Sequence, residues 1–329
     1  MEQLSHLLKS HYNLHPLSLT PISQGVGGRS LLVTCETGKY VVKFPENTPM
    51  DHPDAEPVLC GVLLQKSIPA CEFLKNNAGN YITQTDTGLF NVKKFVPGTV
   101  FPPHAAPKWL MDDAARMLGN IHAALSGEPM LPEGIGEHFF RFMTPEKALS
   151  SYLRSLELAR VQKDTEAEAD LLFRIRITEK LQPYSFDPHR LTCVNTHGDY
   201  TIHQLVCNEN NIAAVIDWTC ACRHPAVWEI LRSFLYAHPS AKDGTIDSDA
   251  LCRYVALYRQ RAPLTSFDLE QMLPLIYYQL AVCDYDGQYY ASSAPNRHLF
   301  RWQARFFTRV LQHLDVHQNS ITEQLTHTK

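Results

Sequence analysis

The sequence predicts an α+β fold in which a small β-rich amino-terminal lobe precedes a large helical lobe. Three observations predict it. Residues 17–44 and 81–95 hold short β-rich runs separated by glycine-bearing turns. Pro97-Gly98, Pro102-Pro103 and Pro107 then punctuate the chain. Beyond Trp109 the apolar residues recur mainly at helical spacing. The lobe boundary is therefore expected near residues 96–98, giving lobes of 1–97 and 98–329.

Each element follows from its own pattern. Leu4, Leu7 and Leu8 mark an amphipathic first helix, and residues 30–35 and 40–44, joined by Glu36-Thr-Gly-Lys39, read as a β-hairpin. Residues 55–66 place Val58, Leu59, Val62 and Leu63 in one helix, which Ile68-Pro69 ends. Strands are expected at 81–83 and 89–95. Residues 109–125 form a periodic helix through Leu110, Ala114, Met117, Leu118 and Ile121. Residues 145–181 read as charged helix with an acidic patch at Glu166, Glu168 and Asp170, inside an insert at 137–190 expected to be peripheral. A β-type island at 194–206 and 212–218 interrupts the helices, which resume at Trp228.

Composition narrows the function classes. The chain has 329 residues, 44% hydrophobic and 19% charged, which is ordinary for a globular protein with a sizeable core. Its formal charge of -4 comes without a long Lys/Arg run, so neither nucleic acid nor an anionic membrane is an expected partner. No apolar stretch approaches the ~18 residues that span a bilayer. Residues 1–20, broken by His6, Lys9, His11 and His15, lack the apolar region of a signal peptide, so a cytoplasmic location is expected. Nine cysteines, odd in number and without paired spacing, read as reduced thiols; Cys220 and Cys222 lack the second pair of a zinc site. The sequence leaves a homodimer open.

The chemistry concentrates in Thr196-His-Gly-Asp199-Tyr-Thr-Ile-His-Gln204, followed after a polar turn by Ile212-Ala-Ala-Val-Ile-Asp217-Trp. One carboxylate lies before a short strand and another ends the next, so a hairpin can bring them together. Phosphoryl transfer needs such a pair: one acid orients the attacking hydroxyl and takes its proton, and the other, with an amide oxygen, fixes a metal on the nucleotide phosphates. Two acids clamping a metal serve a hydrolase equally well.

His197, Gly198 and Asp199, with Ile216, Asp217 and Trp218, resemble the H-[GN]-D-x-x-x-x-N loop and I-D-[FW] strand of the aminoglycoside phosphotransferase and choline kinase family. The resemblance implies a bilobal protein-kinase-like fold, ATP and Mg²⁺ as cofactors, Asp199 as catalytic base and Asp217 as metal ligand. At the family's asparagine position stands Gln204, whose amide oxygen can still coordinate Mg²⁺ from one methylene further out. His197 is implied to prop the loop. Gly25, Gly27 and Gly28 lie between two apparent strands, where backbone N–H groups would cover phosphates. Lys43 resembles the strand lysine that pairs the α/β-phosphates, with Glu56 as its partner and Glu46 and Asp54 as alternatives. Lys94, Phe95 and Val96 resemble the inter-lobe linker whose main chain meets the adenine. His122 and Glu229 are read as structural.

Acceptor recognition is expected from the helical lobe. Residues 277–290 mix aromatics and acids, with Asp284 and Tyr285 as candidate substrate contacts; the alternative is a core role for Tyr285 and a helix-end role for Asp284 and Asp286. The implied activity is transfer of the ATP γ-phosphate to a hydroxyl of a small molecule such as an aminoglycoside, amino alcohol, homoserine or sugar. A peptide or protein kinase would share these motifs, and Gln204 leaves open a catalytically weak nucleotide-binding regulatory protein.

Overall fold

The computed structural model describes residues 2–22, 29–44, 53–86, 88–132, 143–181 and 190–327. Helix α1 (Glu2–Tyr12) turns Leu4, Leu8 and Tyr12 inward, as a four-residue spacing requires. Five antiparallel strands follow: β1 (Pro16–Ile22), β2 (Arg29–Cys35), β3 (Gly38–Phe44), β4 (Ile82–Thr85) and β5 (Gly88–Lys94). Their order is β1-β2-β3-β5-β4, so β3 lies at the centre. Strict alternation buries Leu31, Val33 and Cys35 of β2 against Val42, Phe90, Val92 and the α1 leucines in a small upper core. Adjacent residues then face the other way. Lys43, paired with Asn91, and Val41, paired with Lys93, share the opposite face of the sheet, towards the helical lobe.

Helix α2 (Ala55–Gln65) buries Glu56 in its first turn and Leu59, Cys60 and Leu63 beyond it. The helical part holds α3 (Lys108–Leu125), α4 (Pro145–Val161), α5 (Thr165–Lys180), α6 (Ala226–Ala237), α7 (Ser248–Arg259), α8 (Ser266–Val282), α9 (Tyr285–Ala291) and α10 (His298–His327). Every residue of α6 except Arg232 is buried. A helix apolar nearly all round belongs at the centre of a lobe. It packs there against β6 (Cys193–Thr196), β9 (Cys222–Pro225), α3, α7 and α8.

The β-type island resolves into two ladders. β7 (Leu205–Asn208) pairs β8 (Asn211–Val215), and β6 pairs β9. Strand β9 was not foreseen, because Cys-Arg-His-Pro has neither alternation nor β-branched residues. The insert is also more firmly fixed than its charge suggested. Ala148, Tyr152, Leu171 and Ile175 build a core of their own with Tyr278 and Val282 of α8. Arg174, 1% exposed, donates to Thr308 Oγ1 at 2.8 Å, Tyr152 Oη at 3.0 Å and the Leu280 carbonyl at 2.9 Å. All nine cysteines are free thiols, and burial pushes Cys207 up to about 11 and Cys283 up to about 12. Among the described residues no helix is long and apolar enough to cross a membrane.

Candidate active site

Lys43 leaves the centre of the sheet, 6% exposed, and its Nζ donates to Asp217 Oδ1 at 2.6 Å. Glu56 lies 3.8 Å from Lys43 Nζ and 3.8 Å from Lys93 Nζ, and accepts from the Trp218 N–H at 3.3 Å. Glu56 thus joins helix α2 to both lysines and to the segment carrying Asp217. Of the alternatives, Asp54 occupies the residue before α2, and Glu46 lies outside the described residues. Lys93 is an addition that the motifs did not reveal. Burial pushes its ammonium down, but Cys71, Glu56 and Asp217 outweigh that and hold it above the usual lysine range.

Asp217 follows β8 with φ 63°, a left-handed conformation that turns its side chain back into the cleft. Burial pushes its carboxyl up, yet the charge and hydrogen bond of Lys43, helped by a 2.8 Å bond from Thr219 Oγ1, hold it at about 2. It is therefore an ionised oxygen donor near neutrality.

The loop carrying Asp199 is held from below. Glu229, in the first turn of α6 and 0% exposed, accepts from the N–H groups of Gly198 at 2.6 Å, His197 at 3.2 Å and Tyr200 at 3.4 Å. His122 Nε2 meets the same carboxylate at 3.0 Å while its Nδ1 meets Tyr258 Oη at 2.8 Å. Burial pushes Glu229 up, but these bonds keep it below its ordinary value, so a charged carboxylate caps the loop. His197 Nε2 lies 2.9 Å from the Ile216 carbonyl and its ring packs on Trp218 with centroids 4.5 Å apart. That contact spans the loop and the Asp217 segment. The structural readings of His122, His197 and Glu229 thus acquire specific partners. Gly198 has φ 78°, and a Cβ there would sit 1.8 Å from the Cys220 carbonyl oxygen.

Asp199 stands at the mouth of this arrangement, its side chain 32% exposed. Arg232 NH2 donates to Asp199 Oδ1 at 2.7 Å, and Gln204 Nε2 donates to Oδ2 at 3.2 Å. The Ile216 N–H reaches the Gln204 carbonyl at 2.9 Å, so Gln204 sits beside the Asp217 segment. Arg232 was missed in the sequence because its function depends on contact with a loop 33 residues away. The available signal was its position one turn after Glu229 on the same helix.

A divalent cation fits this donor set. Asp217 offers a carboxylate oxygen and Gln204 an amide oxygen. Among the described residues no group of three or more His, Cys, Asp or Glu converges as a metal cage. A hard cation that keeps several waters and takes its other ligands from phosphates suits so few protein oxygens.

The remaining candidates are distributed as follows. Gly25, Gly27 and Gly28 lie outside the described residues. In the linker, Lys94 N–H goes to the Glu72 carbonyl and Phe95 N–H to the Lys39 carbonyl. Neither is free for a base edge, whereas Val96 N–H has no acceptor among the described residues. Lys94 points its ammonium to Glu72 at 2.8 Å. Asp284 is occupied as the N-cap of α9, accepting from Gly287 N–H at 2.9 Å and Ser151 Oγ at 2.5 Å. This is the helix-end alternative for Asp284. Tyr285 packs on Phe300 and Phe307, yet lies within electrostatic reach of Arg232 and Asp199.

A lysine on a central strand, its helix glutamate and two loop aspartates in one cleft define a phosphotransferase of protein-kinase-like fold. The sequence pattern of the phosphotransferase enzyme family (APH) matches residues 18–264, and the chain belongs to that family. No curated protein matches the sequence. Solved structures share the fold at low identity. A spectinomycin phosphotransferase in complex with ADP and spectinomycin is 15% identical, with 99% of this chain and 98% of that one covered at a TM-score of 0.60. An amicoumacin kinase in complex with AMP-PNP, Ca²⁺ and its antibiotic is 12% identical over 94% and 92%, with a TM-score of 0.65. A microcompartment-associated aminopropanol kinase is 14% identical over 98% and 99%, with a TM-score of 0.63.

Proposed function

We propose that this protein transfers the γ-phosphoryl group of Mg-ATP to a hydroxyl of a small molecule. One observation carries the reading: buried Lys43 joins buried Glu56 to the half-buried carboxylate of Asp217, and Asp199 at the cleft mouth likewise has a solvent-accessible carboxylate. Complexes of similar folds with ADP or AMP-PNP and with small acceptors support it.

In this mechanism Lys43 orients the α/β-phosphates and Glu56 fixes Lys43. Asp217 and Gln204 would hold the metal, which, when bound, offsets charge on the phosphate oxygens. Asp199 accepts a hydrogen bond from the acceptor hydroxyl and takes its proton as the oxygen attacks. Arg232 and Gln204 fix the two carboxylate oxygens, so the base is positioned before substrate arrives. Val96 N–H is the linker donor for the adenine edge.

ADP release with Mg-ATP and a panel of acceptor alcohols tests the reading. Acceptor-stimulated turnover abolished in Asp199→Ala supports it. Mg-ATP binding with turnover on no acceptor would instead favour a regulatory role, the reading that Gln204 motivates.

A further inference from the structure

Next to Asp199, helix α6 presents Trp228, Arg232 and Tyr236 at four-residue spacing, hence on one face. The Arg232 guanidinium lies 5.5 Å from the Trp228 ring centroid and 4.8 Å from that of Tyr236. From there a largely buried aromatic cluster continues across α10. Tyr236 meets Phe306 at 5.5 Å and Trp302 at 6.4 Å, and His104 packs on Phe306 at 4.8 Å. Trp302 is 39% exposed, so this wall reaches solvent.

Charge along the wall is one-sided. Arg232 is its cation. Burial holds His104 below the usual imidazole range, so it is neutral near pH 7. Among the described residues the nearby acids are already engaged: Asp217 by Lys43, Asp284 by Ser151 and Gly287, and Asp286 by Arg301. One buried donor, Arg232 Nε, has no acceptor among the described residues. The Arg232 guanidinium lies over the Tyr236 ring, whose hydroxyl is engaged by Gln303. A polyamine would find here no carboxylate except Asp199, and it would meet Arg232. An acceptor with oxygen acceptors and an apolar body fits both this orphan donor and the rings.

We propose that the acceptor site lies between Asp199 and the Trp302 wall and takes a hydroxy acid, its hydroxyl on Asp199 and its carboxylate on Arg232. The inference rests on the kinase reading and deepens it. In the transfer, the acceptor oxygen bonds to the γ-phosphorus, the bond to ADP breaks, and the hydroxyl proton passes to Asp199; the acceptor carboxylate is unchanged.

The test is steady-state Mg-ATP turnover with three acceptor sets of matched size, namely hydroxy acids, neutral polyols and amino alcohols, on the wild type, Arg232→Gln and Trp302→Ala. Hydroxy acids should give the highest kcat/KM. Arg232→Gln should raise KM for hydroxy acids about tenfold more than for polyols, as loss of one charged contact implies. Trp302→Ala, at an exposed position, should raise KM for hydroxy acids with little change in kcat. Preference for amino alcohols, no turnover of any hydroxy acid, or an Arg232→Gln defect confined to kcat and equal across all three sets would overturn the proposal. Thermal-shift titration with Mg-ATP separates the two levels: stabilisation by Mg-ATP with such an outcome overturns only the acceptor assignment, whereas no binding overturns the kinase reading and this inference with it.

Discussion

Gly198 shows how narrow the tolerance is at the catalytic loop. With φ 78° and the Cys220 carbonyl where a Cβ would stand, alanine at this position must displace backbone, not the flexible end of a side chain. Gly198→Ala should therefore lower kcat and the unfolding temperature together, read by turnover and a thermal melt. Asp199→Asn keeps the shape but loses the proposed base, so kcat should fall by roughly 10²–10⁴ while Mg-ATP binding is retained. Gln204 makes a more discriminating case. Its amide reaches Asp199 at 3.2 Å, and asparagine, one methylene shorter, gives up that reach. We expect Gln204→Asn to reduce Mg-dependent turnover; a large gain would show that glutamine marks a weakened site. At this scale the motif letters located Lys43, Glu56, Asp199, Gln204 and Asp217. They did not reveal Arg232 or Lys93, whose roles exist only through contacts between distant segments.

Helix α6 is the element on which the site is assembled. Its first turn caps the loop through Glu229, its second holds Asp199 through Arg232, and Trp228 and Tyr236 on the Arg232 face begin the aromatic wall. Removing the Glu229 charge leaves three loop N–H groups and His122 poorly matched in a dry site. Glu229→Gln should cost roughly 3–5 kcal/mol, the range for breaking a buried charged network. Chemical denaturation measures this, and a His122→Ala, Glu229→Gln cycle should show coupling of about 0.5–3 kcal/mol. The helix itself was legible, with its start expected at Trp228, two residues after the observed Ala226. Strand β9, which leads into it, was not, since four residues of mixed polarity become a strand only by pairing with β6.

At the scale of the whole molecule, stability should depend on acidity through His224. This ring is 0% exposed, stacks on Trp228 with centroids 4.3 Å apart, and is lowered by burial from 6.5 to about 4. The folded state keeps the ring neutral, so its contribution is full above pH 6.5. As pH falls from 6.5 towards about 4, the unfolded chain takes a proton that the buried ring refuses, and about 3 kcal/mol is lost. A replacement that cannot titrate, His224→Phe, should flatten the unfolding temperature across that window. Melts at stepped pH decide the matter.

Periodicity and punctuation determined the division into a sheet-rich beginning and a helical remainder, because each element shows its buried face through its own spacing of apolar residues. Motif spacing likewise singled out the two aspartates, which flank one hairpin. Tertiary structure alone decided what surrounds them. Lys93 reaches Glu56 because strand alternation and strand order place it beside Lys43. Asp284 becomes a helix cap because Ser151 and Gly287 meet it, and Arg232 becomes the partner of Asp199 because a central helix passes beneath the loop. Such pairings depend on the distance between segments far apart in the chain, and that distance exists only once the core has packed.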